Sequence, residues 1–147
     1  MQEGVLRIPG PVPLHHGGSL PELAIGWSLS GPLDRPVALV LGGISASRRV
    51  FDLREPREGW WREIVGPGKA LDTDRITVLG MDYVGGSGQS TGPAPGQTFP
   101  SISSYDQAGA ALRLLDHLGL PRLAAIVGAS YGGMVALAFG ERHPERV

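Results

Sequence analysis

The sequence contains no cysteine among its 147 residues. Disulfide bonds and cysteine-based metal sites are therefore excluded, while the redox compartment is left open. The apolar runs PVALVL at 36–41 and LAAIVG at 123–128 are far too short to span a bilayer. The first 18 residues also lack an apolar core of signal-peptide length. We expect a soluble cytoplasmic protein that holds no metal.

The sequence also lacks an excess of charge of either sign. It has 13 lysine and arginine residues against 14 aspartate and glutamate residues, a formal net charge of −1. This balance argues against electrostatic binding to nucleic acid or to an acidic membrane, so neither is expected as a partner. With 41% hydrophobic and 18% charged residues, the composition is that of a globular protein whose length suits one domain.

Apolar runs alternate with helical patterns along the chain. Residues 1–21 contain prolines at 9, 11, 13 and 21 and are predicted to be a loose leader, and residues 22–147 are predicted to form the N-terminal portion of one α/β domain. Strands are predicted at 23–29 (an antiparallel edge strand), 37–41, 75–81 and 122–127, and helices at 103–118 and 131–142, with a partly helical stretch at 60–70. Unbroken apolar strands separated by helices predict a mostly parallel sheet with helices on both faces.

The segment Leu123–Phe139, LAAIVGASYGGMVALAF, carries the strongest functional signal. A short apolar strand leads into a sharp turn, and a helix rich in small residues follows. The turn fits the nucleophile-elbow pattern G-x-S-x-G with Gly128, Ser130 and Gly132, and Gly133 follows directly. In an elbow the serine has a strained backbone, and the glycines let the strand and the helix close against each other. The N-terminus of the helix favours an oxyanion beside the serine.

A glycine-rich turn between a strand and a helix can instead bind phosphate, as in dinucleotide-binding folds. Residues 128–133, GASYGG, do not fit G-x-G-x-x-G, however, and no acidic residue follows at the expected distance. The strand–turn–helix context therefore favours a nucleophilic Ser130 over a purely structural serine.

A serine nucleophile needs a histidine base and an acidic residue to orient it, and in an elbow fold both follow the serine along the chain. His143 lies at the far end of the elbow helix, roughly 20 Å from the serine at ~1.5 Å per residue. His117 closes the preceding helix at the opposite end of the strand, and His15 and His16 lie in the leader. We therefore expect the triad acid and histidine to lie beyond Val147, and these 147 residues alone to be inactive and prone to aggregate.

Acyl chemistry at Ser130 also needs two amide donors for the oxyanion. One donor would be the N–H of Tyr131, the residue after the nucleophile. The other would come from the loop after the first buried strand, where the N–H of Ile44 is the predicted donor and a plain strand-ending turn is the alternative. That loop consists of Gly42, Gly43, Ile44 and Ser45.

Other polar and aromatic residues have structural interpretations. Asp82 ends a predicted strand on the active-site side, and it is expected to hold the 85–88 loop rather than to take part in catalysis. Trp60 and Trp61 would line a substrate tunnel or form a satellite core under the long glycine-rich loop. Ordinary loop or cap roles are expected for Ser45, Ser87, Ser90 and Ser104.

Five segments resemble the homoserine O-acyltransferases of methionine biosynthesis, a family with the α/β-hydrolase fold. They are GWW with GPGKALDTDR (59–75), STGP (90–93), FPSISSYDQ (99–107), LLDHLGL (114–120) and GASYGGMVALAF (128–139). The resemblance runs from about residue 22 to the end of the chain. The 59–75 segment is the most specific, because hydrolases at large do not share it.

The resemblance implies a double-displacement reaction. Ser130 would take an acyl group from acyl-coenzyme A, and the hydroxyl of L-homoserine would then accept it. No bound cofactor is implied, because acyl-coenzyme A is a co-substrate. The expected partners are these small-molecule substrates and, for the complete protein, a second copy of the chain in a homodimer.

Two departures from the family pattern concern the acyl group. The acetyl-transferring branch usually has His-Ala-Leu-Thr where this chain has Gly-Gly-Ile-Ser at 42–45, and Gly-Gly-Ser-Met-Gly-Gly at 128–133. Both differences resemble the succinyl-transferring branch. The 42–45 loop is therefore interpreted as the acyl-specificity loop, and a succinyl donor is favoured over an acetyl donor.

Two alternatives to the acyltransferase remain open. An esterase or lipase of the same fold would form the same acyl-enzyme and would differ in whether water is excluded from it. The 59–75 segment favours the transferase. A non-catalytic chain that kept the elbow is the second alternative, since these 147 residues supply no triad histidine or acid.

Overall fold

A computed structural model describes residues 1–32, 34–52, 55, 58–86 and 88–147. Its strands are β1 (Gln2–Pro13), β2 (Ser19–Ser30), β3 (Val37–Leu41), β4 (Val65–Gly66), β5 (Leu71–Asp72), β6 (Thr77–Met81) and β7 (Ala125–Gly128). The helices are α1 (Ser104–His117) and α2 (Tyr131–Arg142), and a single 3₁₀ turn follows at Pro144–Arg146. Among the described residues, no helix has the length and apolar character needed to cross a membrane.

Five of the strands form one sheet in the order β1-β2-β6-β3-β7. β3 pairs in parallel with both β6 and β7, whereas β2 pairs antiparallel with β1 and with β6. Every residue of β3 and of β6 is buried. The predicted class, a mostly parallel sheet flanked by helices, is confirmed. Its parallel strands point their carboxyl ends toward the loops that follow Leu41, Met81 and Gly128.

The two faces of the sheet are covered differently. Alternate side chains of β3 point to opposite sides, so Leu39 and Leu41 join one apolar cluster while Ala38 and Val40 join another. The first cluster contains the buried faces of α1 and α2, which also pack against each other. The second cluster is covered by residues 50–52 and 58–76, in which the structure contains no helix. Helices on both faces, expected from the sequence, are therefore not found among the described residues.

The leader is the clearest difference between the sequence analysis and the structure. Residues 1–21 are not loose, because β1 takes up most of them and pairs with β2 along nearly its whole length. The prolines at 9, 11 and 13 are tolerated because β1 is an edge strand, where a missing N–H costs no interior ladder bond. Pro21 lies in β2, opposite the point where the register of β1 shifts. β2 lies between β1 and β6, so the predicted strand at 23–29 is antiparallel but is not at the edge.

Helix α1 is one residue shorter at each end than the predicted 103–118, because Ser103 and Leu118 are its caps. Ser103 caps the N-terminus in a capping box with Asp106, whose carboxylate accepts the N–H of Ser103. Gly119 follows the helix with φ +66°, the left-handed conformation that glycine adopts readily. Helix α2 has the predicted bounds. The stretch at 60–70 is not helical: it consists of turns that lead into β4.

Close packing over the middle of β6 generates a stability prediction. A Cβ added to Gly80 of β6 would overlap the carbonyl oxygen of Arg48, because the segment after β3 crosses directly over this position. We expect Gly80→Ala to lower the free energy of unfolding by about 2–3 kcal/mol, since the backbone must move to relieve the overlap. Urea unfolding of the protein that contains this chain measures the change.

Gly140→Ala is the matched control, because Gly140 lies in α2 and a Cβ there would meet nothing within 4 Å. This substitution should stabilise the protein by up to about 1 kcal/mol, through higher helix propensity. Equal effects of the two substitutions would contradict the close approach at Gly80.

Candidate active site

Ser130 has the strained backbone of a nucleophile elbow. It lies between β7 and α2 with φ 55° and ψ −121°, and it is the one non-glycine residue with positive φ in the part of the chain that the structure describes. L-residues rarely adopt this region, at a cost of roughly 1–3 kcal/mol. The side chain of Ser130 is exposed and makes no capping hydrogen bond to the helix. The hydroxyl is therefore free to face a substrate.

The glycines beside Ser130 differ in how strictly they are required. A Cβ on Gly128 would overlap the carbonyl of Gly132, and a Cβ on Gly132 would overlap the carbonyl of Leu41. A Cβ on Gly133 would lie 3.6 Å from the carbonyl oxygen of Gly128, an ordinary contact. Steric need for glycine therefore applies to Gly128 and Gly132 but not to Gly133.

Backbone hydrogen bonds join the elbow to the loop after β3. The N–H of Ala129 donates to the carbonyl of Leu41 over 2.9 Å, and the N–H of Gly132 donates to the carbonyl of Gly42 over 2.9 Å. Tyr131, a predicted oxyanion donor, lies between these two anchors, and Ile44 lies two residues beyond Gly42. The structure thus brings the two predicted sources of oxyanion donors together.

The loop after β3 is packed at its start and open at its tip. A Cβ on Gly42 would lie 2.8 Å from the ring of Trp60, and Trp60 Nε1 donates to the carbonyl of Ser47 over 2.8 Å. A Cβ on Gly43 would meet nothing within 4 Å, and Ile44 is 70% exposed. Residues 43–46 form a turn closed by the N–H of Ala46 on the carbonyl of Gly43. Ser45 is exposed on the same turn.

Trp60 and Trp61 stack on each other with ring centroids 5.2 Å apart. Both pack against the second apolar cluster, and the ring of Trp60 packs against Gly42 in the predicted oxyanion loop, residues 42–45. These contacts fit the satellite-core interpretation rather than a substrate tunnel. Farther along the same family-specific segment, Asp72 Oδ1 accepts the N–H groups of Gly68 and Asp74, which lower the pKa of this carboxyl.

A cavity of ≈ 220 Å³ opens beside the elbow. Its wall includes Ile44, Tyr83, Phe99, Ile102, Gln107 and Tyr131. It therefore adjoins both predicted oxyanion donors. Two other cavities, of ≈ 290 Å³ and ≈ 420 Å³, contain no residue of 42–45 or 128–133 in their walls. Of these three cavities, the smallest is the one whose wall contains Tyr131, the residue that follows Ser130.

Two tyrosines and a glutamine form the buried wall of this cavity. Tyr83 packs edge-on against Tyr131 with ring centroids 5.0 Å apart. Gln107 is buried, and its side-chain amide bonds to both backbone polar groups of Val84. Its Nε2 donates to the carbonyl of Val84 over 2.8 Å, and its Oε1 accepts the N–H of Val84 over 3.0 Å. Burial raises the pKa of Tyr131, although a hydrogen bond with Gln107 opposes this shift. Burial, with a smaller effect of Tyr131, also raises the pKa of Tyr83.

Asp82 is fully buried at the end of β6 and holds the loops around the site. Its Oδ1 accepts the N–H of Arg48 over 2.8 Å, and its Oδ2 accepts Arg48 Nη1 over 2.6 Å and the N–H of Gln89 over 3.0 Å. Asp82 thus connects the loop after β3 with the loop after β6, which fits its expected structural role.

The STGP segment, residues 90–93, bonds to β2 at residues 24 and 26, next to the part of β2 that pairs with β6. Ser90 Oγ accepts the N–H of Gly26 and donates to the carbonyl of Asp82, and Thr91 exchanges two hydrogen bonds with Ala24. Ser90 therefore has a framework role. Ser104 is the first residue of α1, whereas Ser87 lies outside the described residues.

His143 and His117 lie at the helix ends where the sequence analysis expects them, whereas His15 and His16 lie in the turn between β1 and β2. His143 ends α2, a helix of about 18 Å at ~1.5 Å per residue. His117 ends α1 and contacts the ring of Trp27, and His15 contacts His16 and Tyr105. Among the described residues there is no group of three or more histidine, aspartate or glutamate side chains able to hold a metal ion.

Sequence reasoning missed Tyr83, Gln107 and Arg48 as parts of the site. Tyr83 follows Asp82 directly at the carboxyl end of a predicted strand, a position that could have signalled it. Gln107 lies within the FPSISSYDQ segment, but its contact with Val84 bridges 23 positions of sequence. Arg48 carried no local pattern at all.

The strain at Ser130 can be measured by comparing two inactive variants. Ser130→Gly removes the Cβ that makes the backbone unfavourable, whereas Ser130→Ala keeps it. We expect the glycine variant to be more stable than the alanine variant by about 1–2 kcal/mol, although glycine is ordinarily less stable than alanine by roughly 0.5–1 kcal/mol. Thermal unfolding provides the comparison.

The same pair of substitutions at Ser104, in the first turn of α1, is the control. There the order should be the ordinary one, with alanine more stable than glycine. The ordinary order at Ser130 as well would show that the elbow is not strained.

The chain is similar to known proteins in both sequence and structure. The family described as alpha/beta hydrolase fold matches residues 36–147. Homoserine O-succinyltransferase of Methylibium petroleiphilum is 38% identical over 97% of this chain and 41% of its own length. Serine O-succinyltransferase of Emericella nidulans is 41% identical over 93% of this chain and 29% of its own length.

Two solved structures share the fold. Esterase E22 superimposes with a TM-score of 0.84 and 26% identity, over 99% of this chain and 45% of that one. Homoserine O-acetyltransferase from Bacillus anthracis does so with a TM-score of 0.80 and 25% identity, over 100% of this chain and 45% of that one. The chain thus spans less than half the length of these relatives. The predicted resemblance to the homoserine O-acyltransferases is confirmed, and the chain belongs to the α/β-hydrolase fold family.

Proposed function

We propose that the protein containing this chain transfers an acyl group from acyl-coenzyme A to the hydroxyl of L-homoserine through a covalent acyl-serine. The observation that carries the proposal is the strained, exposed Ser130 at a strand–helix elbow. Relatives named homoserine O-succinyltransferase, similar over nearly the whole chain, supply the substrate class.

In the first half-reaction, Ser130 Oγ attacks the thioester carbonyl carbon of acyl-coenzyme A. The carbonyl oxygen becomes an oxyanion, which the N–H groups of Tyr131 and Ile44 would stabilise together with the positive end of α2. The C–S bond then breaks, coenzyme A leaves as its thiol after taking a proton, and the acyl group remains on Ser130 as an ester.

In the second half-reaction, the hydroxyl oxygen of homoserine attacks the acyl-serine carbonyl. The C–O bond to Ser130 breaks, the proton returns to Ser130 Oγ, and O-acyl-homoserine leaves. Both halves need a general base. His143 is about one helix length from Ser130, so we propose that the base and its acidic partner come from parts of the protein outside these 147 residues. The 147-residue chain alone is accordingly proposed to be inactive.

The cavity beside Ile44 and Tyr131 is the candidate binding site for the acyl group. Its ≈ 220 Å³ is smaller than the ~300–1,000 Å³ of sites for drug-sized ligands, a size that suits a short acyl chain. The aromatic and aliphatic wall would also keep water from the acyl-serine, which favours transfer over hydrolysis.

We favour succinyl over acetyl as the acyl group. The succinyl-transferring relatives are 38–41% identical to this chain, whereas the homoserine O-acetyltransferase from Bacillus anthracis is 25% identical. The acceptor has two candidates for the same reason, since one of these relatives is named for serine and the other for homoserine. The two acceptors differ by one methylene group.

Ester hydrolysis is the second candidate function, because esterase E22 shares the fold at a TM-score of 0.84. An esterase would form the same acyl-serine and pass it to water. The two functions are separated by what removes the acyl group, and this can be measured directly.

We expect the complete protein to form a mass adduct on the peptide that contains Ser130 after brief exposure to succinyl-coenzyme A. Ser130→Ala should abolish the adduct and lower kcat by several powers of ten, as for other triad nucleophiles. Ser19→Ala is the control, since Ser19 is an exposed serine at the start of β2, away from the cavity, and its loss should leave the adduct in place. An adduct that persists in Ser130→Ala refutes the nucleophile.

Donor and acceptor preferences follow from one set of kinetic measurements. We expect kcat/KM to be higher with succinyl- than with acetyl-coenzyme A, and higher with L-homoserine than with L-serine or water. One methylene group in the acceptor is worth roughly 10–200-fold in discrimination. A preference for acetyl-coenzyme A would overturn the assignment of the donor. A preference for L-serine would overturn the assignment of the acceptor. Faster transfer of the acyl group to water than to either amino acid would show that the protein is not a transferase.

A further inference from the structure

The hydroxyl of Tyr83 forms a hydrogen bond with a backbone atom of the oxyanion loop. Tyr83 Oη donates to the carbonyl oxygen of Gly42 over 2.8 Å, and the side chain is 3% exposed. The same oxygen accepts the N–H of Gly132 over 2.9 Å. Because a carbonyl oxygen has two lone pairs, these two donors complete its hydrogen bonding. One comes from the loop after β6 and the other from the first turn of α2.

The Gly42 peptide is therefore held from several sides. Its Cα faces the ring of Trp60, its carbonyl faces Tyr83 and Gly132, and the preceding carbonyl of Leu41 accepts the N–H of Ala129. The peptide unit is planar, so fixing the carbonyl of Gly42 also fixes the N–H of the next residue and the direction in which the loop leaves the sheet. The Ile44 N–H lies one residue farther along this loop.

A tyrosine needed only for packing would be replaceable by phenylalanine without loss. The Tyr83 ring does pack edge-on against Tyr131, but the hydroxyl bonds to the oxyanion loop itself. Burial raises the pKa of Tyr83, so the hydroxyl stays protonated and remains a donor at neutral pH.

We propose that Tyr83 is a positioning residue of the oxyanion hole: its hydroxyl, together with the Gly132 N–H, orients the Gly42 peptide and so directs the Ile44 N–H toward the oxyanion that forms at Ser130. The inference rests on the proposed acyl-serine, but on neither the acyl group nor the acceptor. Since the oxyanion exists only after Ser130 attacks, the effect falls on the transition state rather than on substrate binding.

The test compares Tyr83→Phe with Tyr105→Phe in the complete protein. Each variant loses one hydroxyl, but Tyr105 donates to Glu141 over 2.6 Å on the surface. The readout is the single-turnover rate of Ser130 acylation by p-nitrophenyl acetate, followed by nitrophenolate release over a range of ester concentrations. Tyr83→Phe should lower the acylation rate at saturating ester by about 10–100-fold, which is less than the loss expected from removing an oxyanion donor itself. The ester concentration that gives half of the maximal rate should change less than about twofold. Tyr105→Phe should match the wild type.

A second pair of variants applies if Tyr83→Phe does not fold. 4-Aminophenylalanine at position 83 keeps a donor N–H where the hydroxyl was, whereas 4-methylphenylalanine fills the same volume without donating. The amino variant should acylate within about threefold of the wild type, and the methyl variant should be as slow as expected for Tyr83→Phe. Equal rates for this pair overturn the inference, as does a Tyr83→Phe rate within twofold of the wild type.

Failure of the proposed function has a different signature. A wild-type protein acylated by the ester but not by acyl-coenzyme A contradicts the acyl donor and leaves the Tyr83 comparison intact. A wild-type protein whose Ser130 accepts an acyl group from neither reagent overturns both proposals.

Discussion

The candidate site depends on the backbone hydrogen bonds that join the end of β3 to the elbow. Ala129 and Gly132 donate to the consecutive carbonyls of Leu41 and Gly42, one on each side of Ser130. These bonds hold Ser130 in a backbone conformation that costs roughly 1–3 kcal/mol, which the serine would not adopt by itself. They also hold the predicted oxyanion loop beside the predicted nucleophile. Two hydrogen bonds, from the end of β7 and from the first turn of α2 to the end of β3, thus fix the position of Ser130 relative to the 42–45 loop.

The surrounding framework gives a structural role to the segments that resemble the homoserine O-acyltransferases. Trp60, from the 59–75 segment, packs beneath Gly42, and the STGP segment extends the edge of β2. The FPSISSYDQ segment supplies both the N-cap of α1 and Gln107, which holds Val84. Asp82 connects the loops after β3 and β6 by accepting hydrogen bonds from Arg48 and Gln89. These segments therefore build the scaffold of the site, and their chemistry is mainly that of backbone hydrogen bonds satisfied by buried side chains.

The elements predicted well from the sequence are those whose conformation depends on neighbouring residues along the chain. The runs VALVL and RITVLGM, the helical pattern at 103–118 and the elbow glycines each specify their conformation within a few residues. The parts predicted poorly depend on distant partners. Prolines made residues 1–21 resemble a loose leader, and only pairing with β2 makes a strand of them. The stretch at 60–70 carries a helical signal, yet packing against the second face of the sheet holds it in turns.

The sequence by itself determined the fold class and, through its resemblance to the homoserine O-acyltransferases, the family, and it predicts Ser130 as the nucleophile, because periodicity, glycine placement and the G-x-S-x-G turn are local properties of the chain. The tertiary structure decided which residues surround Ser130. Tyr83, Gln107 and Arg48 reach their partners across 41, 23 and 34 positions of sequence, respectively. Such contacts follow from the order of strands in the sheet, which places the loops after β3, β6 and β7 at one edge. No local pattern encodes that order, since it depends on the joint burial of every strand.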